Sequence, residues 1–309
     1  MEVGDQAETL RRLMRERPKS DSDTRSARVL AFAGSGPGAG TSSVLANIAA
    51  ILARSGWKVA AVELEKNPRV SLIDAFGAGP FLSNEPVYEI EQDLWLVPAI
   101  ERADESSLTA KAGCAEVAFL DLGSGGSAQA EEHSKICEAL KAEYVIVLTP
   151  RPTSVAEACS RIGHLKARLG RLQAGVIVNQ ARDGAEAQKL FRSLKANAER
   201  ISGVELEYLG HCGRDEKFSQ AVRNRKILLD LESGALSVRC FELLAKRFLG
   251  RYLRGTRMGT GSGSESGFDA ERIVTKRRLP PSRFREEPAR SAPGNKTGFW
   301  RILLGEVKA

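Results

Sequence analysis

The stretch that most constrains this chain is residues 34–43, GSGPGAGTSS, set between ARVLAF and VLANIAAILARSG. The first flank reads as a buried strand and the second as a helix, so the stretch is a glycine-rich strand-to-helix turn. Such a turn aims backbone N–H groups and the positive end of a helix dipole at one point, which favours an anion. Laid on the phosphate-loop pattern G-x-x-x-x-G-K-[ST], Gly40 takes the last glycine, Thr41 the lysine position and Ser42 the magnesium-ligand position, while Ser35 replaces the first glycine. The small residues Gly36, Gly38, Ala39 and Gly40 still permit close approach of a ligand to the backbone. One missing unit charge at contact range is worth about 4 kcal/mol at an effective dielectric of 20, roughly a thousandfold in rate if felt only in the transition state. Phosphate binding through backbone and magnesium is therefore expected to outlast efficient hydrolysis. Taken alone, the loop reads equally well as a turn with no phosphate role.

From residue 28 to about 250, strand-like runs alternate with helical patterns. RVLAFA, KVAAVEL, LWLVPAI, EVAFLDL, YVIVLTP, AGVIVNQ and LEYLGH are the strands, and 42–54, 128–141, 153–169, 184–201 and 236–253 are helix-length segments. Near-continuous apolar strands crossed by helices predict an α/β fold, a mostly parallel sheet with helices on both faces. Ahead of this core, residues 1–17 carry Leu10, Leu13 and Met14 at helical spacing, with Asp5 near the start where the dipole favours an acid. Residues 18–27 are polar and breaker-rich, a linker. The core is placed at 28–254, a basic, proline-containing tether read as disordered at 255–297, and a short amphipathic segment, GFWRILLGEVKA, at 298–309.

The chain has 309 residues and a formal charge of +7. The surplus points to acidic partners such as nucleic acid, anionic lipid or an acidic protein face. Five scattered cysteines without a CxxC pair, and three isolated histidines, argue for reduced thiols and against a disulfide frame or zinc site. No signal-like or bilayer-spanning apolar run is found, so the expectation is a cytoplasmic protein.

The register SGPGAGTSSVLANIAAILARSGWKVAAVELE resembles the MinD/ParA branch of P-loop ATPases, with its deviant loop K-G-G-V-G-K-T, then N-L-A, then a strand ending D-x-D; Asn47-Ile48-Ala49 falls in register without a gap. Within that branch the chain is similar to the FlhG (FleN, YlxH) family of flagellar number regulators. DQAETLR (5–11) resembles its N-terminal D-Q-A-x-x-L-R element, LTPRPTSVAEA (148–158) its T-P-x-P-T-S segment, and residues 203–229 the strand and helix of its C-terminal half. The departures are specific. Gly36 stands at the family's signature lysine and Thr41 at its Walker lysine. Glu63 and Glu65 replace the two aspartates of D-x-D, followed by Asn67 and Pro68. A glutamate is one methylene longer than aspartate, and positioning effects are steep at that scale. Asp121 stands at the Walker B aspartate.

The resemblance implies ATP or ADP with Mg2+ as ligand, held by Gly36, Gly38, Gly40, Thr41, Ser42 and Ser43, with Asn179 at the adenine. Ser42, Glu63 and Asp121 are the implied metal residues, and Glu65 and Asp121 the implied catalytic ones. It further implies that Asp5, Gln6, Ala7, Leu10 and Arg11 dock on FlhF, an SRP-type GTPase, and stimulate it. Phe299, Trp300, Ile302, Leu303 and Leu304, behind basic residues, fit an anchor on an anionic membrane surface at the inner face of the cell membrane. Flagellar regulators or basal-body proteins and a homodimer are the remaining implied partners. With both loop lysines absent, the expected function is regulation of flagellar number or placement through FlhF, with an ATPase that is inactive or very slow. The alternatives are a slow MinD-type membrane-cycling ATPase and a ParA-like DNA-binding partition protein, the last indicated only by the basic pI.

Overall fold

The computed structural model describes residues 27–65, 71–77, 87–98, 112–123, 127–201, 203–228 and 236–253, with the side chains of 127–129 left aside. The expectations placed on the N-terminal helix, the basic tether and residues 298–309 lie outside the described residues.

The strands are β1 (Arg28–Gly34), β2 (Val59–Glu63), β3 (Tyr88–Glu91), β4 (Leu94–Val97), β5 (Val117–Asp121), β6 (Glu143–Leu148), β7 (Leu172–Ala181) and β8 (Val204–Gly213). The helices are α1 (Thr41–Arg54), α2 (Leu72–Phe76), α3 (Ser127–Ala139), α4 (Ser154–Leu169), α5 (Gly184–Ala198), α6 (Glu216–Arg223) and α7 (Leu236–Phe248), the last running into a π-helical turn, Leu249–Leu253. The sheet order is β3-β4-β2-β5-β1-β6-β7-β8. Every pairing is parallel except the antiparallel β3–β4 edge. The expected α/β sheet is present; β3 and α2 are additions, four and five residues long, too short for a periodic pattern to declare them.

Strand alternation explains the two layers. On β1, Leu30 and Phe32 face a core built with α1, α2, α6 and α7, while Val29, Ala31 and Ala33 face a second core built with α3, α4 and α5. In the first layer Phe32 stacks on Phe248 at 5.8 Å between ring centroids, and lies 5.1 Å from Phe119. Because β1 has β5 on one side and β6 on the other, the chain reverses its direction of travel at β1. That is where open α/β sheets leave a crevice beyond the carboxyl ends of their strands. GSGPGAGTSS is the connection leaving that point.

Two buried polar residues fix α1 in place. Asn47 donates to the Ser43 carbonyl at 2.8 Å and accepts from the Leu228 amide at 3.1 Å, which ties the helix to the segment after α6. At its C-terminal end Arg54 pairs with Glu91 of β3 at 3.1 Å, with both side chains largely covered. Removing one member of a buried pair strands the other charge, at a cost of about 3–5 kcal/mol. Arg54→Met is therefore expected to lower unfolding free energy by about 3 kcal/mol in urea titration, and Arg54→Met/Glu91→Leu to recover most of it. An equal loss in the single and double variants would show that the pair does not act as a unit.

Candidate functional site

The loop and the ends of β7 and β8 enclose a cavity of about 570 Å3, within the range of small-ligand sites. It is lined by the loop from Gly36 to Ser43, by Glu65 and Gly123 beyond β2 and β5, by Asn179 and Gln180 of β7, and by Arg214, Asp215, Glu216, Phe218, Val222 and Arg223 beyond β8. The cavity thus gathers all seven nucleotide residues expected from the sequence.

The loop's shape needs glycine at two points. Gly40, at φ 79°, is the left-handed N-cap of α1, with no side chain bonded to the helix, and a β-carbon there would crowd the Asn179 amide. Gly36 has φ 151°, and a β-carbon would overlap the Glu157 carboxylate and crowd Arg151 Nη2. Arg151 donates to Glu157 at 3.2 Å and to Thr149 Oγ1 at 3.1 Å. An in-chain ion pair therefore stands where a side chain at position 36 would begin. Thr41 is buried, its hydroxyl close enough to Gly34 that a β-carbon there would collide with it. Neither lysine position presents an arm to the cavity.

Other residues hold the loop. Asn179 is buried, donates to the Ala39 carbonyl at 2.8 Å and accepts from the Gln180 amide at 3.0 Å. The side chain of Gln180 donates to the Gly38 carbonyl at 3.1 Å. The Asn179 amide is thus spent on the loop itself, although the residue lines the cavity. On the opposite side Ser35 Oγ lies 2.6 Å from Ser154 Oγ, which also accepts from the Thr149 amide at 3.1 Å. That is the structural task of the TPRPTS segment: it clamps the start of the loop.

Asp121 ends β5 and is almost fully buried. Its carboxylate accepts from the Gly123 amide at 2.9 Å and from the Ser42 hydroxyl; burial pushes its pKa up to about 6. Ser42 and Asp121, joined at the helix N-terminus, suit a magnesium ion that keeps its waters and is otherwise held by ligand phosphates. Glu63 sits beside Asp121 on the neighbouring strand, but its carboxylate accepts from the Leu72 amide at 2.7 Å and does not line the cavity. It serves an otherwise open donor at the start of α2. Burial, followed by the nearby Asp121, Glu65 and Asp74 charges, pushes Glu63 up to about 8, against the Leu72 bond. Glu65 lies on Gly123, where a β-carbon would overlap its carboxylate, and does line the cavity. Among the described residues no group of three or more His, Cys, Asp or Glu is arranged to hold a metal unaided, and the five cysteines form no disulfide.

Gln180, Arg214, Phe218, Val222 and Arg223 escaped the sequence reading. Their signal was position: Gln180 lies at the carboxyl end of β7 and the others follow that of β8, where such sheets place ligand contacts.

No family model matches the chain. The flagellum site-determining protein YlxH of Helicobacter pylori is 26% identical over 257 residues, covering 73% of this chain and 84% of its own length. Among solved structures, a chain of the MinC:MinD cell division protein complex of Aquifex aeolicus aligns with a TM-score of 0.55 at 19% identity, over 72% of this chain and 96% of its own. The cell division ATPase MinD of Pyrococcus furiosus aligns at 0.51 with 16% identity over 72% and 98%. A plasmid partition protein of Borrelia burgdorferi, bound to AMPPNP, aligns at 0.51 with 14% identity over 73% and 99%. The chain is thus similar in sequence to YlxH and has the MinD/ParA fold.

Glu63 gives a pH prediction whose sign follows from its raised pKa. A carboxyl that keeps its proton to about 8 when folded, but releases it near 4.5 when unfolded, contributes stability fully below about 4.5 and loses it as pH rises toward 8. Glu63→Gln is expected to be more stable than the parent at pH 8, with the gain growing from pH 5 by up to about 1.4 kcal/mol per unit. Urea unfolding at a series of pH values measures this. Parallel pH profiles for the two proteins would contradict it.

Proposed function

We propose that this chain regulates the number or placement of flagella by acting on an SRP-type GTPase of the FlhF kind, with a nucleotide site that binds ATP or ADP better than it turns ATP over. The observation that carries the reading is the likeness to YlxH over most of both chains, joined by the DQAETLR element at residues 5–11. On this reading Asp5, Gln6, Ala7, Leu10 and Arg11 form the contact with the GTPase. The α/β core is the platform that presents them, either singly or as a homodimer. Phe299, Trp300, Ile302, Leu303 and Leu304 give contact with an anionic membrane surface.

The cavity supports the nucleotide part. Backbone amides at the start of α1 receive phosphate, and the helix dipole favours its charge. Ser42 and Asp121 hold magnesium, which supplies charge neutralisation on the phosphate oxygens. Phe218 and Val222 offer an apolar wall to a base, and Arg214 lines the same cavity, as does Arg223, which is paired with Glu216. Neither Gly36 nor Thr41 offers a cation to the transition state, so turnover is slow. The retained Ser42–Asp121 contact favours one second reading, a slow MinD-type ATPase whose nucleotide cycle governs its own assembly.

GTP turnover by the FlhF-type partner, measured with the full chain and with a chain lacking residues 1–20, tests the first reading. Stimulation is expected from the full chain only, and is expected to fall with Gln6→Ala and Leu10→Ala. Equal turnover in all cases would contradict it. Phosphate release from ATP by the chain alone separates the second reading: sustained turnover supports the ATPase, and binding without turnover supports the regulator.

A further inference from the structure

A second cavity, about 410 Å3, lies on the other side of the loop, bounded by Ser35 and Gly36, by His133 of α3, and by Arg161 and His164 of α4. Gly36 lines both cavities, so they meet at the loop position that has no side chain. Gly123 marks the same border: it lines the first cavity, while its carbonyl accepts from the Gly34 amide at 2.9 Å and from Arg161 Nη1 at 3.4 Å. Arg161 therefore touches the partition between the cavities from the side opposite the nucleotide site.

Its setting is unusual for an arginine. The guanidinium is partly buried, and lost hydration lowers its pKa from the ordinary value while the charges of Glu65 and Asp121 raise it. Among the described residues its one hydrogen bond is the long one to Gly123, although the group carries five N–H donors in a planar fork. A guanidinium of this kind matches the oxygen geometry of a phosphate and remains charged at any working pH. A cation already held at the Gly123 carbonyl, with donors to spare, borders a loop that has no cation of its own.

We infer that Arg161 is the receptor for the terminal phosphate of a nucleoside polyphosphate seated in the loop, supplying from within the chain the charge that positions 36 and 41 lack. The inference rests on the nucleotide reading of the first cavity. To reach it, the outer phosphate displaces the Glu157 carboxylate that lies over Gly36 and the Glu65 carboxylate that lies on Gly123, and the guanidinium exchanges its long bond to the Gly123 carbonyl for bonds to phosphate oxygen.

The test is a fluorescence-competition titration of the full chain with AMP, ADP and ATP in the presence of magnesium, for the parent, Arg161→Met and Arg161→Lys. In the parent, affinity is expected to rise with each added phosphate. In Arg161→Met, ATP affinity is expected to fall about tenfold to a hundredfold, the worth of one charge-assisted hydrogen bond, with AMP affinity unchanged. Arg161→Lys is expected to keep most of the ATP preference. Thermal melting of each variant confirms folding, and the unchanged AMP affinity provides a second check. If Arg161→Met keeps the parent's preference for ATP, or loses AMP as much as ATP, the inference is overturned and the nucleotide reading stands. If the parent binds none of the three, both fall together.

Discussion

The bond from Asn179 to the Ala39 carbonyl is the contact on which the site depends. A glycine-rich loop pays heavily in backbone entropy to hold one shape, and in this chain no lysine ties it to a ligand. The buried Asn179 amide, seconded by Gln180 at Gly38, anchors the loop to the end of β7, while Ser35 and Ser154 anchor its start to α4. With its ends fixed to β7 and to α4, the loop turns the amides at the start of α1 toward one cavity. The loop is organised by its own protein.

Three acids, Glu63, Glu65 and Asp121, collect at the ends of adjacent strands, and burial keeps protons on Glu63 at neutral pH. The cations are placed around the border: Arg161 under Gly123, the Arg151–Glu157 pair beside Gly36, and Arg214 and Arg223 across the cavity. Since a β-carbon at Gly36 would overlap Glu157, restoring a lysine there also requires displacing a neighbouring pair. Gly36 and the Arg151–Glu157 pair fit one another sterically.

Much of this was legible in the sequence, for reasons that differ by residue. β1, β5 and β6 declared themselves because strands covered on both faces are nearly all apolar. The loop declared itself because only glycine serves at Gly40 and only small residues admit a ligand. Asn47 could be read as a register mark, but its work, bonding Leu228 far along the chain, is a tertiary fact. β3 and α2 were hidden by their shortness. The turn of Glu63 away from the cavity was hidden too, because the residue sequence does not say which way a strand-end acid faces once a nearby amide needs a partner. Gln180 and Arg161 carry no motif; they become meaningful only when β7 and α4 are laid beside the loop.

The central claim is that this loop is a preformed phosphate cradle without a lysine. Amide hydrogen exchange across residues 34–44 and 213–223, with and without ATP and magnesium, tests it most directly. The account predicts slowed exchange in both segments when nucleotide is added, strongest at residues 36–43, with no change in the distant α5. Unaltered exchange in both segments at millimolar nucleotide would contradict it.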